Sequence, residues 1–176
     1  MNKKLKDILS NSLFFLFVVL LSFLIIKFVG QRTVVIGPSM MPTLQDGNNL
    51  VVDKISYRFK EPERFDIVIF PFRNNSGNTY IKRIIGLPGE TVRIDKEGVI
   101  YINDEVLDES YGREIIQNPG NALEGVTLKS NEYYVLGDNR NDSEDSRFSV
   151  GVVYRYEIIG KAVFRMWPFA EIGPVK

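Results

Sequence analysis

Between Thr33 and Phe164 the sequence alternates short apolar runs with Gly, Pro and Asn breaks, which suits antiparallel strands joined by turns. Residues 33–36, 49–54, 66–70, 79–85, 92–95, 99–102 and 105–107 read as strands, with 133–136, 150–154 and 158–164 returning to the core. Turn chemistry separates them at Asp46-Gly47, at Pro71, over residues 74–78, at Gly86-Leu87-Pro88-Gly89, at Lys96-Glu97-Gly98 and at Asn103-Asp104. Such punctuation predicts a mainly β chain, an antiparallel barrel or sandwich rather than a parallel sheet with crossover helices. The polar stretch 108–132, with Asn118-Pro119-Gly120-Asn121, reads as a small β subdomain, an insertion or a long loop.

A different pattern precedes the strands. After the charged start Met1-Asn2-Lys3-Lys4-Leu5-Lys6, residues 8–29 are dominated by Leu, Phe, Val and Ile. As a helix this segment would be about 33 Å long, against a hydrocarbon core of about 30 Å. It is expected to be an uncleaved transmembrane anchor, because Lys27-Phe28-Val29-Gly30-Gln31-Arg32 carries no small-x-small cleavage pattern. The lysines ahead of it favour a cytoplasmic N-terminus and an extracytoplasmic main domain. The expected organisation is then an anchor over 1–30, a main β domain over 31–94 and 133–176, and a small β subdomain or insertion over 95–132.

Composition narrows the chemistry. The chain has no histidine and no cysteine, which removes Ser-His-Asp catalysis, thiol nucleophiles and the usual zinc sites. Its formal net charge is +0, so no broad basic field exists to hold nucleic acid. A hydrolase built from these residues needs another proton acceptor, and lysine is the candidate.

Ser39 lies between Pro38 and Pro42, whose fixed φ angles restrict the intervening chain and can present one hydroxyl orientation. A serine in an ordinary turn is the competing reading. Lys82 stands out among the lysines because it lies inside the apolar strand Tyr80-Ile81-Lys82-Arg83-Ile84-Ile85. At period two it shares a face with Tyr80 and Ile84, and burial there disfavours the charged amine. Lowering a lysine from about 10.4 to about 8 takes about 3.3 kcal/mol. A neutral amine could take the Ser39 proton as the hydroxyl attacks a carbonyl and return it to the leaving amine. The alternative is a lysine whose stem covers a sheet edge while its amine reaches water.

The dense polar loop 137–147 is expected to order this pair. Asp138, Asp145 and Arg147 can make charge-assisted contacts, and Ser143 or Ser146 could meet Lys82. A carboxylate touching the lysine would raise its pKa, so the acids should engage arginine or main-chain donors instead. Their spacing does not fit a twelve-residue calcium loop, and no metal site is expected.

With these blocks in place, the chain resembles the bacterial type I signal peptidases, membrane-bound serine-lysine endopeptidases, in their Gram-positive form. The resemblance rests on the apolar N-terminal segment, on Ser39-Met40-Met41-Pro42-Thr43-Leu44, on Tyr80 through Gly89, and on Gly137-Asp138-Asn139-Arg140 with Ser143-Glu144-Asp145-Ser146-Arg147. It implies Ser39 as nucleophile, Lys82 as general base, Ser143 as the hydroxyl that orients the lysine, and Asp145 with Arg147 as a supporting ion pair. It also implies cleavage of exported preproteins after an Ala-x-Ala site, at the bacterial cell membrane, with no cofactor. Ile36, Met40, Tyr80, Ile81 and Ile84 would wall small pockets, and Tyr80 to Lys82 would offer a strand edge to an extended substrate.

One departure is Gly37, which stands where some members carry a serine that donates to the tetrahedral intermediate. The second donor would then be the Gly37 main chain, another group or water. Phe70-Pro71-Phe72 and Met166-Trp167-Pro168-Phe169 could meet phospholipid headgroups or pack in the core, and the secretion translocon is a further possible encounter. A membrane-tethered binding module, a soluble self-cleaving protease and an inactive homologue are the competing functions.

Overall fold

The computed structural model describes residues 3–28, 30–73, 77 and 79–175. Its strands are β1 (Gly30–Val34), β2 (Asn49–Asp53), β3 (Ile67–Pro71), β4 (Thr79–Gly86), β5 (Thr91–Ile94), β6 (Ile100–Ile102), β7 (Glu105–Val106), β8 (Val126–Thr127), β9 (Glu132–Leu136), β10 (Val153–Tyr154), β11 (Gly160–Trp167) and β12 (Gly173–Pro174). Every paired strand is antiparallel, as the turn-rich sequence predicts. The loop expected over residues 74–78 falls, apart from residue 77, outside the described residues.

The strands form two sheets. The larger runs β1-β2-β11-β3-β4-β9-β10, with β12 on β11, and the smaller runs β7-β6-β5-β8. Thr91–Ile94 pairs within the smaller sheet, so that sheet opens with β5. One apolar cluster joins the sheets, with Ile85, Tyr134 and Leu136 from the large one packed on Val92, Ile94, Ile100 and Ile102 of the small one. Gly86 lets them close up, since a Cβ there would lie 2.3 Å from Val92 Cγ2 and 2.8 Å from Leu128 Cδ1.

The two faces of the large sheet bury separate clusters. One gathers Val35, Met40, Leu44, Leu50, Val52, Ile67, Ile69, Ile81 and Ala162. The other gathers Val68, Phe70, Ile84, Tyr133, Val135 and Val153. Both Phe70 and Ile84 are therefore core residues. Strand β4 is buried from Ile81 to Gly86, which places Lys82 and Arg83 inside the protein on opposite faces.

The N-terminal expectation is corrected. Helix α1 spans Lys3–Phe28, but among the described residues no helix is long and apolar enough to cross a membrane. Lys4, Lys6, Ser10, Asn11 and Ser12 interrupt its first turns, ahead of the apolar run that begins at Leu13. The transmembrane helix, the single-pass topology with a cytoplasmic N-terminus and the membrane localisation expected from the sequence are withdrawn with it.

Candidate active site

The Ser39 turn is held by its own chain. Met41 N–H donates to Pro38 O at 3.0 Å and Leu44 N–H to Met40 O at 2.8 Å. Met40 and Leu44 are anchored in the core beneath, so the turn between the prolines is a supported platform. Ser39 stays half-buried above it.

Lys82 reaches this turn from β4. The lysine is 2% exposed, and its Nζ donates to Ser39 Oγ at 2.7 Å. Burial pulls its pKa down from 10.5 to about 8, while the charges of Asp145, Asp138 and Glu144 oppose that shift. Among the described residues no carboxylate pairs with the amine. Asp138 is taken by Arg83, whose Nε and a terminal nitrogen donate to its two oxygens at 2.8 and 2.7 Å. Asp145 is taken by Arg147, at 2.9 and 2.8 Å, and also accepts from the Gly137 N–H at 3.2 Å. The separation of carboxylates from the lysine expected from the sequence is thus present.

The 137–147 loop also grips the serine turn directly. Asn139 N–H donates to Ser39 O at 3.0 Å, and Asn139 Nδ2 donates to Pro38 O at 3.2 Å. Thr43 Oγ1 donates to Asp138 Oδ2 at 2.5 Å. Gly137 lies so close that a Cβ there would stand 2.4 Å from Ser39 O and 2.3 Å from Ser143 Oγ. Thr43, Arg83 and Asn139 were missed by the sequence reading. For Arg83 a signal existed: it sits in the same buried strand as Lys82, on the other face.

Other expected residues distribute unevenly. Ser143 Oγ is buried beside Gly137 and has no hydrogen-bond partner among the described residues, so it makes no bond to Lys82 in this state. Ser146 turns away and accepts the Val135 N–H at 2.9 Å. Gly37 N–H donates to Asp46 Oδ1 at 2.8 Å, so this main-chain donor is engaged, whereas the Ser39 N–H points at no acceptor among the described residues.

A groove of about 410 Å³ opens over Ser39 and Lys82. Ile36, Met40, Tyr80 and Ile81 line it, and Ile84 does not. On the β9 side, β4 pairs only from Arg83 to Gly86, leaving Thr79 to Lys82 an unpaired edge along the groove. Across it, Ile36 projects beyond β1 and is 89% exposed. The arrangement offers a hydroxyl, an amine that burial makes easier to deprotonate, a main-chain N–H without an acceptor among the described residues, and a strand edge.

Residues 8–167 match the family described as signal peptidase, peptidase S26. The chain belongs to this family. Among similar proteins, a probable signal peptidase I-2 of Synechocystis is 41% identical, the match covering 88% of this chain and 71% of that protein. A signal peptidase I of Leptolyngbya laminosa is 43% identical over 84% of this chain and 75% of the relative. A signal peptidase I of Bacillus caldolyticus is 42% identical over 83% and 84%. As a member of peptidase S26, the chain is a serine endopeptidase with a Ser-Lys dyad.

Proposed function

We propose that the enzyme removes N-terminal signal peptides from exported preproteins after an Ala-x-Ala site, with Ser39 as nucleophile and Lys82 as general base. The observation that carries this assignment is the 2.7 Å contact between a buried lysine amine and the Ser39 hydroxyl. When the amine is neutral, the contact reverses and the hydroxyl donates to its lone pair. Ser39 Oγ then bonds the carbonyl carbon, and the oxyanion formed accepts from the Ser39 N–H. The protonated Lys82 gives its proton to the leaving amine, the C–N bond breaks, and a water activated by Lys82 hydrolyses the acyl-enzyme.

The supporting roles follow the same contacts. Asp145 and Arg147 hold the loop, and Ser143 Oγ is the spare hydroxyl beside the turn that can orient the lysine as its proton moves. An extended substrate pairs with the Thr79–Lys82 edge, and the apolar walls at Ile36, Met40 and Ile81 admit only small side groups by overlap.

The test is cleavage of a purified preprotein by wild type, Ser39→Ala and Lys82→Met. Specific cleavage at the wild-type rate by either variant rejects the pair. A finer part of the proposal is that the enzyme meets phospholipid and the secretion translocon. The exposed rings of Trp167 and Phe169, 4.7 Å apart, favour lipid contact. Equal vesicle binding by wild type and a Trp167→Ser, Phe169→Ser double variant would remove that contact.

A further inference from the structure

Glu144 has no place in the dyad, yet it lines the groove that holds Ser39 and Lys82. Glu144 and Lys82 are the charged side chains among the groove's lining residues, and in the proposed mechanism the lysine accepts the Ser39 proton in its neutral form. At that point the groove carries one net charge, and it is negative. Glu144 is exposed and has no cationic partner among the described residues. Its carboxylate is held on one side, where Ser149 Oγ donates to Glu144 Oε2 at 2.7 Å in an exposed contact. A solvated glutamate on a loop needs no such anchor.

We infer that Glu144 is a specificity residue that reads positive charge on the leaving-group side of the scissile bond. The side follows from the chemistry proposed above, on which this inference rests. The amine that departs must face Lys82 to collect its proton, and Glu144 lines the groove together with that lysine. The apolar walls at Ile36, Met40 and Ile81 belong to the other side, where small side groups enter. A carboxylate near the leaving group favours a lysine or arginine among the first residues of the mature chain and disfavours aspartate or glutamate there. The α-ammonium released by cleavage is the other cation that could meet it.

The test uses peptides that share one signal-type cleavage site and carry Lys, Gln or Glu at the second mature position. Wild type is expected to prefer Lys over Glu by about fivefold or more in kcat/KM at low salt, the preference shrinking as ionic strength rises. In Glu144→Gln the ratio falls to within about twofold, and Ser149→Ala, which frees the carboxylate, gives an intermediate ratio. Ratios within one enzyme cancel any loss of folded or active protein. A second arm compares inhibition by product peptides with free and acetylated N-termini. Selective inhibition of wild type by the free amine, lost in Glu144→Gln and without a side-chain preference, assigns the contact to the α-ammonium. Cleavage with no charge preference in either arm overturns the inference. Failure to cleave any peptide rejects the peptidase assignment itself, and the inference with it.

Discussion

Asn139 fastens the polar loop to the Ser39 turn, its main-chain N–H donating to Ser39 O at 3.0 Å and its amide to Pro38 O at 3.2 Å. Asn139→Ala keeps the first bond and loses the second, so Ser39 gains freedom while the dyad remains. The loss of one part-buried hydrogen bond costs about 1 kcal/mol, and kcat should fall about fivefold with little change in KM. Because Lys82 is untouched, the midpoint of the pH profile stays in place. A wild-type kcat in this variant would remove the positioning role.

Lys82 sets both the pH dependence of activity and a cost in stability. Its pKa of about 8 means that kcat/KM should rise with unit slope up to that pH and level off above it. The unfolded lysine titrates near 10.5, so between about 8 and 10.5 the unfolded chain binds more protons. Stability therefore rises with pH across that window. Below it, charging the buried amine costs about 3 kcal/mol in full. Lys82→Met removes that cost and the hydrogen bond to Ser39, for a net gain of about 2 kcal/mol at pH 7 that disappears above pH 10. Urea melts at pH 7 and 10.5 measure it, and equal stability of the two proteins at pH 7 contradicts the account.

Arg83 and Asp138 form a buried fork, with side chains 1% and 0% exposed. The guanidinium also donates to Phe65 O at 2.9 Å and lies 3.7 Å over the Tyr111 ring. Asp138→Ala strands the positive charge and should destabilise by about 3–5 kcal/mol, with activity falling in parallel. Thr43→Val, which removes the hydroxyl bond to Asp138 and the longer one accepted from Arg83 at 3.4 Å, should cost about 1–2 kcal/mol. Chemical denaturation orders the two, and a mild Asp138→Ala would show that the pair is not structurally important.

Two glycines near Ser39 should respond in opposite ways. Gly137→Ala forces a Cβ to 2.4 Å from Ser39 O, so the turn must move and activity should drop more than tenfold. At Gly37 nothing lies within 4 Å of a Cβ, but φ is +88°. Gly37→Ala should cost about 1–2 kcal/mol of stability from the left-handed backbone alone, with no clash. Equal effects of the two substitutions on activity at matched folded fractions would count against this distinction.

What the sequence by itself determined is local. Gly and Pro spacing set short antiparallel strands, the flanking prolines marked Ser39, and an apolar strand at period two marked Lys82 as a lysine that burial would neutralise. That Asp145 pairs with Arg147 came from the family resemblance, the residues alone leaving Asp138 and Asp145 both open as partners. The partners of Asp138 and Gly37 were not readable, since Arg83 is 55 residues from Asp138 and Asp46 is nine from Gly37 across a turn. Those choices depend on strand register and on which loops the sheet brings together, which no local period encodes. The N-terminal run shows the opposite limit: its composition reads as a span, while no helix among the described residues is long and apolar enough to be one. Only the tertiary structure decided that Lys82 meets a hydroxyl rather than a carboxylate, because packing assigned Asp138 to Arg83 and Asp145 to Arg147.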